Sequence, residues 1–133
     1  MFTDTTAFSG FSVDDQAKAK EFYDKKLGLK VDEDQMGLTL HLGNGAEIFV
    51  YPKEDHKPAT FTILNFIVPN IDETIDKLKA AGVNMEKYDN LPAPQDEKGV
   101  LRGLAAGQGP DIAWFTDPAG NVLAVLQNEK PKQ

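Results

Sequence analysis

With 133 residues, 41% of them apolar, the chain has material for one ordinary domain or for two small repeated units sharing a core, and not for two independent domains. It holds no cysteine, which excludes disulfides, cysteine-ligated zinc, a thiolate nucleophile and iron–sulfur clusters. Fourteen basic against 21 acidic residues leave a net charge of −7, which argues against nucleic acid or an anionic membrane as partner.

The N-terminus carries neither a basic segment nor an apolar leader, and no run approaches the roughly 20 apolar residues of a membrane span, so a cytoplasmic location is expected. Residues 7–13 alternate Phe11 and Val13 with small or polar side chains and predict a strand ending at Asp14-Asp15. Asp15 then caps a helix in which Ala19, Phe22, Tyr23 and Leu27 recur every three or four residues, with Lys18, Glu21, Asp24 and Lys25 on the wet side and Gly28 at the exit. Leu29 and Val31 lead into a strand, and residues 37–42 and 46–51 flank Gly43-Asn44-Gly45, a hairpin turn.

A second copy of this order begins at residues 61–68, where Pro69 precedes Asn70 and, three residues on, Glu73, the pattern of a reciprocal capping box. Ile71, Ile75 and Leu78 line one helical face, which closes near Ala80-Ala81-Gly82-Val83. The copies are offset by 55 residues, taking Phe8 to Ile63. Either unit alone leaves a sheet face exposed, so the two are expected to pair around a shared interior. A strand is expected near 83–87. Residues 89–110, with Pro92, Pro94, Gly99, Gly103, Gly107 and Gly109, then read mostly as loop, with a strand over 100–105 and flanking runs suited to a movable rim over a pocket. Residues 112–116 and 122–127, joined by Asp117-Pro118-Ala119-Gly120-Asn121, form a final hairpin before a polar tail over 128–133.

Groups able to carry chemistry are few. The chain has two histidines, His41 and His56, with no metal-ligand spacing between them, and His56 falls in the polar run Lys53-Glu54-Asp55-His56-Lys57, which reads as a solvated loop. His41 precedes the glycine turn and is better placed to line an opening. Glu47 lies in an otherwise apolar strand and shares a face with Phe49 and Tyr51, where an edge position looking into water explains its charge. Tyr51, Asn65, Tyr88 and Trp114 are able to supply aromatic walls and hydrogen bonds, and each also suits ordinary packing. Gly103, Gly107 and Gly109 match neither the Rossmann nor the P-loop pattern, and Asp14-Asp15 and Asn70-Ile71-Asp72 read as helix caps rather than cation sites.

Val13-Asp14-Asp15 with Phe22-Tyr23 and Leu27-Gly28-Leu29, Val68-Pro69-Asn70 with Ala80-Ala81-Gly82-Val83, and the closing run from Trp114 through Asp117-Pro118-Ala119-Gly120-Asn121 to Leu123 together resemble the glyoxalase / bleomycin-resistance / extradiol dioxygenase family, the vicinal oxygen chelate proteins. The resemblance covers residues 7–127. It implies an α+β fold of two βαβββ modules, 7–52 and 61–127, within a single domain over 1–133, with curved mixed sheets forming a cup, commonly in a homodimer. It also implies that the family's metal-ligand positions fall at Phe8, Ile63 and Ala124, which cannot ligate, leaving a fourth at Glu47 or Ile48. No metal and no cofactor are therefore expected.

In the resembling fold, Phe8, Ile63 and Ala124 point into the cup, and alternation sends Gly10, Ser12, Asn65, Ile67, Val122 and Leu126 the same way. The expected ligand cavity is thus lined by Phe8, Ser12, Ile63, Asn65, Trp114 and Ala124. The leading expectation is metal-independent binding of a small, largely apolar or aromatic molecule, for sequestration or resistance. One alternative is a lyase, isomerase or dioxygenase using a non-standard metal or acid–base site, with His41, Glu47 and Tyr51 as catalytic candidates. The other is a structural or interaction homodimer with a plugged cavity.

Overall fold

A computed structural model describes residues 1–129, in which the chain divides into two compact units, Met1–Pro58 and a second from Ala59 onward. In the first unit β1 (Ser9–Val13) leads to a helix, α1 (Gln16–Lys20), and then to β2 (Lys30–Glu33), β3 (Leu38–His41) and β4 (Glu47–Pro52). The strands form a mixed sheet in the order β1-β4-β3-β2, with β1 parallel to β4 and the remaining pairs antiparallel. Asp15 caps α1 as expected, its carboxylate accepting from the Lys18 amide at 3.1 Å.

Beyond Lys20 the helix widens into a π-helical turn, Glu21–Lys26, in which the Leu27 amide donates to the Phe22 carbonyl at 3.0 Å. Phe22 and Tyr23 are both buried there, their rings edge-on at 5.1 Å, and Tyr23 meets Phe11 of β1 at 6.0 Å. This buried aromatic cluster, with Val13, Leu38, Leu40, Ile48 and Val50, fills the sheet face under the helix. Gly28, at φ 71°, reverses the chain, and the Leu29 amide reaches back to the Tyr23 carbonyl at 3.0 Å.

The second unit repeats the pattern with a changed middle. Its elements are β5 (Thr62–Ile67), α2 (Ile71–Ala80), β6 (Leu101–Arg102), α3 (Gly103–Ala106), β7 (Asp111–Thr116) and β8 (Val122–Gln127), with sheet order β5-β8-β7-β6 and β5 parallel to β8. Ile71, Ile75 and Leu78 of α2 are buried with Ala113, Phe115, Leu123 and Val125 of the sheet. At the start of α2 the Asn70 side chain accepts from the Glu73 amide at 3.1 Å, one half of the expected capping box. The Ile71 amide is satisfied from the sheet, by the buried Gln127 Oε1 at 2.9 Å.

Two strand expectations are corrected here. Residues 83–87 form no strand: their tie to the sheet is the Glu86 amide donating to the Trp114 carbonyl at 2.8 Å. The strand expected over 100–105 ends after two residues, because the chain turns into α3 at Gly103. An added Cβ there would stand 2.4 Å from the Pro110 carbonyl oxygen, so only glycine permits this close return of the backbone. The Leu104 amide is taken by Asp111 Oδ1 at 3.0 Å, which fixes the turn. Of the expected polar tail, residues 130–133 lie outside the described residues.

Arg102 ties this irregular middle to α2. It donates to both oxygens of Asp72, at 2.8 and 3.1 Å, and through Nε to Asp96 at 2.8 Å, while Lys98 lies 3.3 Å from Asp72. The Arg102 hydrogen bonds hold the Asp72 carboxyl below its ordinary range. At Asp96 burial alone would raise the value, but hydrogen bonds from the Val100 amide and Arg102 outweigh it and the net direction is down. Carboxyls depressed on folding take up protons first in the unfolded chain, so their contribution is complete above the ordinary carboxylate range and is lost as pH falls through the lower folded values. The expected result is that Asp72→Asn loses less stability than the native chain between neutral and acid pH, read from urea midpoints across that range.

Candidate functional site

In the second unit, alternation along β7 sends Asp111, Ala113 and Phe115 under α2 and turns Ile112, Trp114 and Thr116 to the helix-free face. Trp114 stands beside Ala124 of β8, which in turn stands beside Asn65 of β5, so the three form a row across the sheet. The Trp114 Nε1 donates to Thr62 Oγ1 of β5 at 3.1 Å. Since β8 lies between β7 and β5, the indole is laid across β8, whose Ala124 is fully buried. A register shift between Thr62 and Leu64 makes this reach possible: Thr62 pairs with Val122 and Leu64 with Leu123, leaving Ile63 as the inserted, half-buried residue.

A wall rises beside the indole from residues 86–95. The Glu86 amide is bound to the Trp114 carbonyl, and the Glu86 carboxylate accepts from Thr116 Oγ1 at 3.4 Å. Tyr88 meets Trp114 edge-on, with ring centroids 5.7 Å apart. Burial, and after it the Glu86 charge, pushes the Tyr88 phenol up from its ordinary value. Within the run expected as a rim, one side chain stitches the loop. Gln95 accepts from the Tyr88 amide at 2.7 Å and donates to the Glu86 and Gly99 carbonyls at 3.0 and 2.6 Å.

The helix-free face of the first unit carries Phe49 and Tyr51, stacked at 5.7 Å with an interplanar angle of 19°. Ser12 stands beside Tyr51 in register and is hydrogen-bonded through Oγ to His56 Nδ1 at 2.7 Å, so His56 is drawn onto the sheet rather than left in a solvated loop. His41 pairs with Glu47 across β3 and β4, its Nδ1 3.7 Å from the Glu47 carboxylate and its Nε2 hydrogen-bonded to Asp32 at 2.7 Å. Glu47 is exposed as expected, but not from an edge strand: β4 is interior to the sheet, and Glu47 is its first residue. Tyr51 lies four residues beyond Glu47, about 13 Å along an extended strand, so the structure does not gather His41, Glu47 and Tyr51 into one constellation. Phe8 precedes β1 and is 74% exposed, lining with Glu47 and Ile48 an open cavity of about 680 Å³.

Among the described residues no group of three or more histidine, aspartate or glutamate side chains converges to hold a metal ion. Nor is any described helix long and apolar enough to cross a membrane. The model of the Glyoxalase/Bleomycin resistance protein/Dioxygenase superfamily matches residues 5–125. The chain belongs to that superfamily. Among curated proteins none matches this glyoxalase-superfamily chain.

Solved structures share its fold at low identity. TnmS3, an antibiotic binding protein from Streptomyces sp. CB03234, is 24% identical with a TM-score of 0.64 over 96% of this chain and 99% of its own. A glyoxalase family protein from Enterococcus faecalis is 23% identical with a TM-score of 0.66 over 95% and 99% of the two chains. The fosfomycin resistance protein FosX from Listeria monocytogenes is 15% identical with a TM-score of 0.65 over 95% and 94%.

Of the cavity residues expected from this superfamily's resemblance, Asn65, Ala124 and Trp114 are brought together in one row with Ile63 beside them, and Phe8 and Ser12 belong to the first unit. Thr62, Glu86 and Gln95 were not singled out by the sequence. For Glu86 a signal existed in its spacing of two from Tyr88, the period that places side chains on one side of an extended segment.

Proposed function

We propose that this glyoxalase-superfamily protein binds a small, largely apolar or aromatic molecule without a metal ion, in the cytoplasm and as a homodimer, and serves in sequestration or resistance. The observation that carries the reading is the Trp114 indole, tethered to Thr62 and walled by Tyr88 on a helix-free sheet face. Such a surface combines aromatic area with a few polar groups, here the Asn65 amide in register with Ala124, which is the composition of small-ligand sites. Phe8, Ile63 and Ala124 offer no lone pair to a cation. Curvature of the sheets into a cup belongs to the same proposal. The antibiotic-binding relative supports a binding role on this fold.

The separation of His41 and Glu47 from Tyr51 counts against the acid–base alternative. The plugged alternative draws on the same indole, and one titration separates it from binding. The chain has a single tryptophan, so its indole N–H gives one unambiguous NMR signal. With neutral aromatic probes in excess chelator, that signal is expected to shift saturably, with an affinity that added divalent ions leave unchanged. Binding that appears only after a divalent ion is restored would overturn the metal-independent reading, and no shift with any probe would favour a plugged face.

A further inference from the structure

Resting on the binding reading above, we propose that the ligand is an organic cation whose ammonium or comparable charged group sits against Trp114 and Tyr88 with Glu86 as its counter-ion. Rings set at 77° to one another turn two faces toward a common corner, and the face of an aromatic ring, tryptophan above all, attracts a cation through its quadrupole. The carboxylate is placed at that corner by two contacts: its residue's amide binds the Trp114 carbonyl at 2.8 Å, and its Oε1 accepts from Thr116 Oγ1 at 3.4 Å. Thr116 is two residues from Trp114 on the same helix-free face, so the charge and the indole are presented together.

Among the described residues none of Lys87, Lys98 and Arg102 is bonded to Glu86. Lys87 Nζ donates to the Asp96 and Glu97 carbonyls, Lys98 pairs with Asp72 and Asp76, and Arg102 pairs with Asp72 and Asp96. The Thr116 hydroxyl occupies one acceptor site of the Glu86 carboxylate, which has about four. A carboxylate held on Thr116 of the strand that carries Trp114, with none of these three cations bonded to it, is complementary to a positive ligand. The net charge of −7 draws cations toward the protein as a whole.

The test uses an isosteric pair, (3-hydroxyphenyl)trimethylammonium and 3-tert-butylphenol, which differ in replacing the charged nitrogen by carbon. Both are titrated into the intact protein while the Trp114 indole N–H signal is followed. The expected result is that the cation binds about tenfold more tightly, and that in Glu86→Gln this preference falls to about threefold, the share that the two ring faces supply by themselves. Glutamine keeps an acceptor for Thr116, and an otherwise unchanged amide spectrum establishes that the variant is folded. Equal affinities, or tighter binding of the neutral probe, would overturn the cation assignment while leaving the binding reading intact. A cation preference undiminished in Glu86→Gln would overturn the role of Glu86. No shift with either probe would overturn both.

Discussion

Truncation of Phe115 to alanine is expected to remove about 3–5 kcal/mol of folding stability, the range for deleting a buried aromatic ring whose surroundings relax only in part. Phe115 is fully buried on β7, pairs in register with the equally buried Leu123, and shares the covered sheet face with Ala113 and Val125 under Ile71, Ile75 and Leu78 of α2. Its neighbours are held by two strand ladders and a helix, so they cannot collapse into the space without breaking backbone pairing. Phe115→Leu, which keeps most of the volume, is expected to cost less than about 1.5 kcal/mol. Urea denaturation reads both, as lowered midpoints with an unchanged slope. Since domains of this kind are stable by only about 5–15 kcal/mol, the alanine variant is expected to be the least stable of those described here. A loss below about 1 kcal/mol would mean that the ring is not the packed centre of its face.

Replacement of Trp114 by alanine is expected to weaken ligand binding by about 30- to 100-fold, corresponding to the roughly 2–3 kcal/mol carried by a tryptophan at the centre of a binding surface. The indole does two things that the rest of the face does not. It covers β8 between Thr62 and its own strand, and it supplies the flat surface against which Tyr88 is set. Trp114→Phe separates these contributions, keeping a ring while losing the Nε1 hydrogen bond, and is expected to cost about tenfold or less. Because both variants lack the indole signal, calorimetric titration is the appropriate readout. Native affinity in the alanine variant would move the binding site away from this face.

Much of the fold is written in short-range chemistry. Asp15 and Asn70 each accept an amide three residues on, Gly28 turns the chain at φ 71°, and the Asp117 carboxylate gathers the Ala119 and Asn121 amides at 3.0 and 2.9 Å within its own turn. Each of these devices needs partners only a few residues away, so residue type and spacing suffice to announce it. The alternating core strands are legible for the same reason, since a period of two needs no knowledge of the partner strand.

The stretch from Val83 to Pro110 is different. Its apolar residues suggest strands, yet Gln95 satisfies backbone groups that a strand would have bonded, and Gly103 accepts carbonyls too close for any side chain. The candidate site follows this division. Ala124 was within reach through the family resemblance, Asn65 through strand alternation counted from it, and Trp114 as an aromatic side chain able to wall a ligand. Thr62 was not, because a register shift at Ile63 returns it to the indole's face, and Glu86 was not, because its place depends on a loop bonded to the edge of β7.

The sequence by itself therefore determined the two repeated modules, the helix starts and ends, the closing hairpin, and the hydrocarbon character of Phe8, Ile63 and Ala124. Only the tertiary structure decided that Trp114 reaches across β8 to Thr62, that Glu86 and Tyr88 stand beside it, and that the loop around them is stitched by Gln95. The reason is the distance along the chain over which each is set: caps and turns are closed by neighbours, whereas 52 residues separate Thr62 from Trp114 and their meeting depends on how three strands are ordered in one sheet.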